Sequence, residues 1–257
     1  MHKGKNMDTE RKFDGRAKDY IESRPSYSPE LLEYLNDNYK LFEAGAVADI
    51  GSGTGKFAKL LLRGNCEVYG VEPNDDMRRT AEKELSGCKN FHSVAGKAED
   101  TALKSGSVDN ITTAQAFHWF DVSRFKSECL RILKDGGKVF LIWNIRDNDD
   151  TFNKEWQAIF ARYCPDFKGF SNGISKDDEK IISFFDGVYG RVSFSYPLIF
   201  DRAGFIKRSL SSSYSIKEGE KDYEQYIAVL NALFDKYEND GKISVANSSV
   251  AYIGNIK

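Results

Sequence analysis

Short apolar runs bounded by turn residues recur along the first 145 positions, at 46–50, 66–71, 90–94, 108–114 and 138–144. Runs of this length, apolar throughout rather than alternating, suit strands of a parallel sheet buried on both faces. Between several of them the spacing changes. Phe57-Ala58-Lys59-Leu60-Leu61-Leu62, 75–85 and 123–133 carry helical patterns, and a further helix at 29–40 opens on Pro29, whose fixed φ suits a first turn. Strands alternating with helices predict βαβ units. The fifth strand is the clearest, because Lys134-Asp135-Gly136-Gly137 closes a helix and Val139-Phe140-Leu141-Ile142-Trp143 follows at once.

Past residue 145 the rhythm breaks. Residues 151–164 put Phe152, Trp156, Ile159 and Phe160 on one helical face, and a Gly/Asp/Ser-rich region from 165 to 190 shows no period. Val192-Ser193-Phe194-Ser195-Tyr196 alternates like a half-buried strand. A helix at 221–238 rests on Tyr223, Tyr226, Ile227, Leu230, Leu233, Phe234 and Tyr237, and Ser244 to Ile256 reads as a strand-like tail. Residues 1–20 are polar, with Phe13 and Tyr20 among them, and lead through Arg24-Pro25-Ser26-Tyr27-Ser28-Pro29 into the first helix. Four segments follow: an arm and helix at 1–40, an α/β core at 41–145, a cap insertion at 146–190, and the C-terminal part of the same sheet at 191–257.

Composition narrows the partners. Of 257 residues, 40% are hydrophobic and 30% charged, enough apolar matter for a real core. A formal charge of −2 supplies no broad basic field, so a nucleic acid is not favoured as the main partner. Cys66, Cys88, Cys129 and Cys164 never form a C-x-x-C pair, which argues for buried free thiols and against a zinc site or disulfide framework. His2, His92 and His118 offer no His-x-x-x-His pair, so no metal is expected. The start lacks an apolar signal core and no run approaches the ~18 apolar residues of a membrane span. A cytoplasmic protein, monomeric or homodimeric, is the expectation.

The chemistry concentrates in Val47-Ala48-Asp49-Ile50-Gly51-Ser52-Gly53-Thr54-Gly55 and Val68-Tyr69-Gly70-Val71-Glu72-Pro73. A strand entering a helix through glycines lets backbone N–H groups approach a ligand closely. A phosphate-cradling P-loop fails, because Ile50 stands at its first glycine and Phe57 at its Ser/Thr. A dinucleotide fingerprint fits poorly, because Lys56 stands at its third glycine and Asp49 would repel phosphates. Asp49 suits an ammonium group instead. Glu72 lies 21 residues beyond Gly51, near the ~20-residue offset of a ribose-binding carboxylate. A nucleoside with an amino-acid tail, S-adenosylmethionine (SAM), answers both acids.

The run Asp49–Gly55 with Glu72-Pro73 and Met77 resembles the class I SAM-dependent methyltransferases. Ala98-Glu99-Asp100 and Ser107-Val108-Asp109 are similar to the adenine-side loop and fourth strand of the type 11 subgroup. Gln115-Ala116-Phe117-His118-Trp119-Phe120-Asp121 resembles the signature of its trans-aconitate methyltransferase-like branch, as do Tyr20, Arg24-Pro25, Phe234-Asp235-Lys236-Tyr237 and Tyr252-Ile253-Gly254. Ser26 and Ser28 depart from the usual Pro-rich start, and 165–190 matches nothing in the branch. The resemblance implies an α/β, Rossmann-like, doubly wound seven-stranded sheet with a reversed last strand and a helical cap.

It also implies roles. Gly51, Ser52 and Gly53 would contact the methionine end of SAM within a turn completed by Thr54 and Gly55, and Glu72 would hold the ribose hydroxyls. Pro73 and Met77 would pack beside adenine, with Ala98 and Glu99 at its amino group. Gln115 and Ala116 would line the sulfonium side, and Tyr20 and Arg24 would close over the cofactor carboxylate, for which the planar guanidinium is apt. His118 is the candidate proton carrier, and Trp119 and Phe120 would wall the substrate pocket, where an aromatic face favours a sulfonium. The function expected is methyl transfer from SAM to a small molecule, with a carboxylic acid as first choice. An RNA or protein methyltransferase and a non-catalytic SAM-binding module are the alternatives; an NAD-dependent oxidoreductase is weakened by Lys56 and Asp49.

Overall fold

A computed structural model describes residues 25–170, 178–212 and 214–257. Tyr20 and Arg24 lie outside the described residues. One seven-stranded sheet is built from β1 (Ala46–Ile50), β2 (Glu67–Val71), β3 (Phe91–Val94), β4 (Val108–Ala114), β5 (Leu133–Arg146), β6 (Gly190–Ser195) and β9 (Asn247–Gly254), in the order β3-β2-β1-β4-β5-β9-β6. The first five strands pair in parallel, whereas β9 runs antiparallel to both β5 and β6. This is the doubly wound, Rossmann-like sheet expected from the sequence, and its reversed strand is the last in the chain.

Burial on both faces explains the continuous apolar runs. Val139 to Trp143 in β5 are wholly buried, as are Val47, Ala48 and Ile50 in β1. One face packs on α1 (Pro29–Tyr39) and α2 (Ala58–Leu61) through Leu31, Leu35 and Leu61. The other packs on α4 (Val122–Ile132) through Phe125, Cys129 and Ile132. α3 (Asp75–Glu84) follows β2. Because the chain leaves β1 outward to β2 and β3, then crosses back to β4, the strand order reverses between β1 and β4. A crevice at such a switch point, outside the carboxyl ends of the strands, is where open α/β sheets bind ligands.

Four features differ from the sequence reading. The glycine pair at 136–137 does not close α4. That helix ends at Ile132, and Leu133 already pairs with Val108, so Lys134–Gly137 bulges out of β5 opposite Asp109. Gly137 is needed there because a Cβ would sit 2.7 Å from the Asp109 carbonyl oxygen. The aperiodic stretch to 190 contains α6 (Glu179–Phe184), whose Phe184 stacks on Phe125 at 5.3 Å and so belongs to the main core rather than to a cap. The tail splits in two: β8 (Lys242–Val245) pairs with β7 (Leu198–Asp201), and only β9 enters the main sheet.

The packing also differs from the 190/191 division drawn from the sequence. A third core joins α5 (Thr151–Tyr163) to β7, α7 (Arg202–Leu210), α8 (Tyr223–Tyr237) and β8 through Phe152, Trp156, Phe160, Phe205, Tyr226 and Phe234. Much of 191–257 therefore packs with α5, not with the sheet. Cys66, Cys129 and Cys164 are buried, but Cys88 is exposed. No described helix is long and apolar enough to cross a membrane.

Candidate functional site

β1 delivers the chain to its carboxyl end at Ile50, where Gly51, Gly53 and Gly55 take φ values of 69°, 57° and 77°. Such left-handed backbone is routine only for glycine. Gly51 and Gly55 have a second, steric reason. A Cβ on Gly51 would lie 2.6 Å from Ala116 Cβ and 3.1 Å from Phe120 Cζ, so the turn is sealed against the loop after β4. A Cβ on Gly55 would strike Leu85 and Ala81, so this glycine serves packing on α3 and its far end. Nothing lies within 4 Å of the place a Gly53 Cβ would occupy. The backbone is open there. Ser52 and Thr54, between them, are nearly buried, and the Gly51 and Ser52 amides both donate to the Val71 carbonyl, at 2.8 and 3.1 Å.

Glu72 follows β2 beside that turn, with 8% exposure. Its Oε2 accepts from Gly53 N and its Oε1 from Asn74 N, each at 2.9 Å. Asn74 in turn caps α3, accepting from Met77 N at 3.0 Å. This capping fixes where Met77 is buried and holds half-buried Pro73 between the two. A carboxylate offers about four lone-pair sites. Two backbone donors orient it and leave acceptor capacity for a diol.

Asp49 sits behind the turn, 1% exposed. Its Oδ1 accepts from Thr112 Oγ1 at 2.9 Å, while Oδ2 has no hydrogen-bond partner among the described residues. Burial pushes this carboxyl up to about 7, against the opposing effects of the Thr112 hydroxyl and the Ala58 backbone. An unsatisfied buried carboxylate oxygen is costly and calls for a donor or a cation.

Across the switch point, β4 is followed by Gln115, a non-glycine residue at φ 60°. Its side-chain Nε2 donates to the Asn144 carbonyl at 3.3 Å and its amide to the Ile142 carbonyl at 2.9 Å. Buried Ala116 follows, then a single 3₁₀ turn over Phe117–Trp119. Phe117 is core, 5.2 Å from Phe184. His118 is half-buried with its ring 4.8 Å from that of Trp119, and Trp119 is 37% exposed. Phe120 lies against Phe125 at 4.9 Å and reaches the Gly51 turn.

The loop after β3 closes the opposite side. Ala98 is buried, and Glu99 Oε1 accepts from Asp121 N at 2.8 Å, tying this loop to the start of α4. Behind it, Glu128 accepts from Thr101 N at 2.7 Å and from Arg131 Nε at 2.8 Å. Burial alone would raise the Glu128 carboxyl, but Arg131 and Thr101 outweigh it and hold it down at about 2.

Direct contacts thus join Gly51 to Ala116 and Phe120, Gly53 to Glu72, and Glu99 to the segment carrying Phe120. Gly55 faces packing instead. Spacing did not point to Asn74, Thr112 or Asn144, which act as partners of Glu72, Asp49 and Gln115; the only sequence signal among them is Asn74, a helix-capping residue ahead of Asp75-Asp76. Chemically, the oriented carboxylate, the open Gly53 backbone and the unsatisfied Asp49 oxygen fit a ribose and an ammonium. They repel a pyrophosphate. Among the described residues no cluster suited to a metal ion is present.

Comparison with known proteins points the same way. The family model described as a methyltransferase domain matches residues 48–141. An uncharacterized methyltransferase of Schizosaccharomyces pombe is 34% identical over 139 residues, 54% of this chain and 54% of that protein's length. A second, uncharacterized methyltransferase-like protein of the same yeast is 28% identical over 217 residues, covering 82% of this chain and 81% of its own. Among solved structures, the YcgJ protein of Bacillus subtilis superposes with a TM-score of 0.58 at 19% identity, covering 88% of this chain and 97% of that one, and shares the fold.

Proposed function

We propose that this chain, whose residues 48–141 match the methyltransferase-domain family model, is a class I SAM-dependent methyltransferase that transfers the methyl group of SAM to a small-molecule acceptor. The observation that carries the reading is the Glu72 carboxylate, oriented at 2.9 Å by Gly53 N and Asn74 N beside open backbone. Glu72 accepts from the ribose hydroxyls, and Gly51, Ser52 and Gly53 lie along the amino-acid tail. Asp49 faces the ammonium. Pro73, Met77, Ala98 and Glu99 border the base, and Gln115 and Ala116 border the sulfonium. SAM supplies an activated methyl group when bound.

The remaining work belongs to this chain's own residues: alignment, charge and exclusion of water. Holding an acceptor in near-attack geometry contributes on the order of 7–11 kcal/mol to such a reaction. Trp119 and Phe120 wall the acceptor side, and the aromatic third core stands where the chain leaves the end of β5. A carboxylate acceptor needs no base and is the first choice, on the branch resemblance of Gln115–Asp121. A hydroxyl, amine or carbon acid would call on His118 to take the proton. A charge of −2 speaks for a small acceptor over RNA.

Equilibrium dialysis with SAM or S-adenosylhomocysteine tests the cofactor reading, and transfer of label from methyl-labelled SAM into a pool of small carboxylic acids tests the acceptor. Uptake and a labelled ester are expected. No uptake overturns the cofactor reading; label appearing only in RNA or protein overturns the acceptor.

A further inference from the structure

The first described residues of the chain arrive at the carboxyl end of β5 and the amino end of β9 and are bound there by a buried polar chain. Ser28 N donates to Ser249 Oγ at 2.9 Å; Ser249 Oγ donates to Asn144 Oδ1 at 2.6 Å; Asn144 Nδ2 donates to the Ser26 carbonyl at 2.8 Å. Asn144 and Ser249 are register partners in β5 and β9, and Ser28, Ser249 and Asn144 are all buried. Between the two serines, Tyr27 sets its ring edge-on to Phe57 at 5.2 Å, two residues past the last glycine of the cofactor turn. The Asn144 carbonyl meanwhile receives the Gln115 side chain at 3.3 Å.

Asn144 therefore meets three things at once: its side-chain amide holds the Ser26 carbonyl and Ser249 of the return strand β9, and its backbone carbonyl holds Gln115, the strained residue that follows β4. None of its contacts is needed to form the sheet, whose backbone ladder pairs β5 with β9 regardless of side chain. A buried Asn satisfied on both its donor and acceptor sides fixes geometry, because every alternative position leaves a polar group unpaired.

On the SAM reading above, we infer that Asn144 is a positioning residue. Its side chain, through Ser249, sets where residues 26–28 cross beside the glycine turn, and its carbonyl sets the orientation of Gln115. Cofactor affinity then depends on a residue that touches no ligand.

Two near-isosteric variants test this by calorimetric titration of the full chain with S-adenosylhomocysteine. Asn144→Asp keeps the acceptor for Ser249 and loses the donor to Ser26; Ser249→Ala breaks the link to Ser28. Each is expected to weaken binding by about tenfold with stoichiometry intact, and Ser249→Thr, which keeps the hydroxyl, to recover most of the affinity. A residue that served folding alone would lower the stoichiometry and leave the dissociation constant unchanged, and that result overturns the inference. Wild-type affinity in both variants overturns it as well. Failure of the wild-type protein to bind overturns the SAM reading itself, so the two failures are told apart by the wild-type titration.

Discussion

Glu72 is held before any ligand arrives, with Gly53 N on one oxygen and Asn74 N on the other. On the SAM reading proposed above, Glu72→Ala removes the acceptor of two charge-assisted hydrogen bonds to a ribose, each worth roughly 1.5–3 kcal/mol. Calorimetry should then show SAM affinity falling by about 100-fold or more; unchanged affinity would remove the ribose role. Asp49 gives a pH test of opposite kind. Its carboxyl moves from 3.8 to about 7 on burial, so the folded protein binds more protons than the unfolded chain between those values. Stability contributed by this group is full at low pH and declines as pH rises through that window. A bound ammonium favours the carboxylate, so cofactor uptake near pH 7 should release a proton. Titrations in buffers of different ionisation enthalpy will detect it, and Asp49→Asn should abolish it. Both residues were legible in the sequence, because glycine spacing and strand ends fix where an acid must stand. Asn74, Thr112 and Asn144 were not, since a hydrogen-bond partner brought in by pairing or capping leaves no periodic trace. The aromatic run was legible only in part: Phe117 went to the core, Phe120 to the glycine turn, and Trp119 to the surface.

Strands β1 to β4 and helices α3 to α5 could be read within a residue or two, because burial on one or both faces imposes a regular apolar pattern on each. α6, β7 and α7 were not anticipated. They are short, and the two helices start on single capping aspartates, Asp178 and Asp201, that resemble loop residues until a helix follows them. The tail looked like one strand because its break at Ala246 is apolar. Among the elements, α4 carries the sharpest energetic claim. Glu128 on this helix binds Thr101 and Arg131 and so clamps the loop that bears Ala98 and Glu99. Glu128→Ala leaves the Thr101 amide and part of the Arg131 guanidinium without their acceptor, a loss of roughly 2–3 kcal/mol. The carboxyl is held at about 2, below its ordinary 4.5, so its contribution is complete above pH 4.5 and lost as pH falls toward 2. Urea midpoints measured from pH 6 down to 2 should show wild type losing stability more steeply than Glu128→Gln. Parallel curves would mean that the clamp stabilises nothing.

At the scale of the whole molecule, the residues assigned to SAM lie on the sheet, while α5, β7, α7, α8 and β8 share a separate core. Phe205 is the test of that division. It is fully buried among Trp156 at 5.1 Å, Phe152 at 5.7 Å and Phe234 at 6.1 Å, and none of these belongs to either core that flanks the sheet. Phe205→Ala should cost about 3–5 kcal/mol, through lost burial and the cavity left behind. If the cap has its own core, the loss falls there: S-adenosylhomocysteine should bind with near-wild-type affinity, while transfer to the acceptor drops because the cap no longer orders the substrate side. The three tryptophans report on where the loosening occurs. Trp143 lies in the sheet and Trp156 in the cap, both buried, and only Trp119 is exposed. In wild type, acrylamide should quench one class of fluorescence, which Trp119→Phe removes. In the double variant Trp119→Phe with Phe205→Ala, a quenchable class should return from Trp156 while the Trp143 signal stays protected. If both buried tryptophans become accessible together and cofactor binding is lost with them, sheet and cap melt as one body and the separate core has no independent standing.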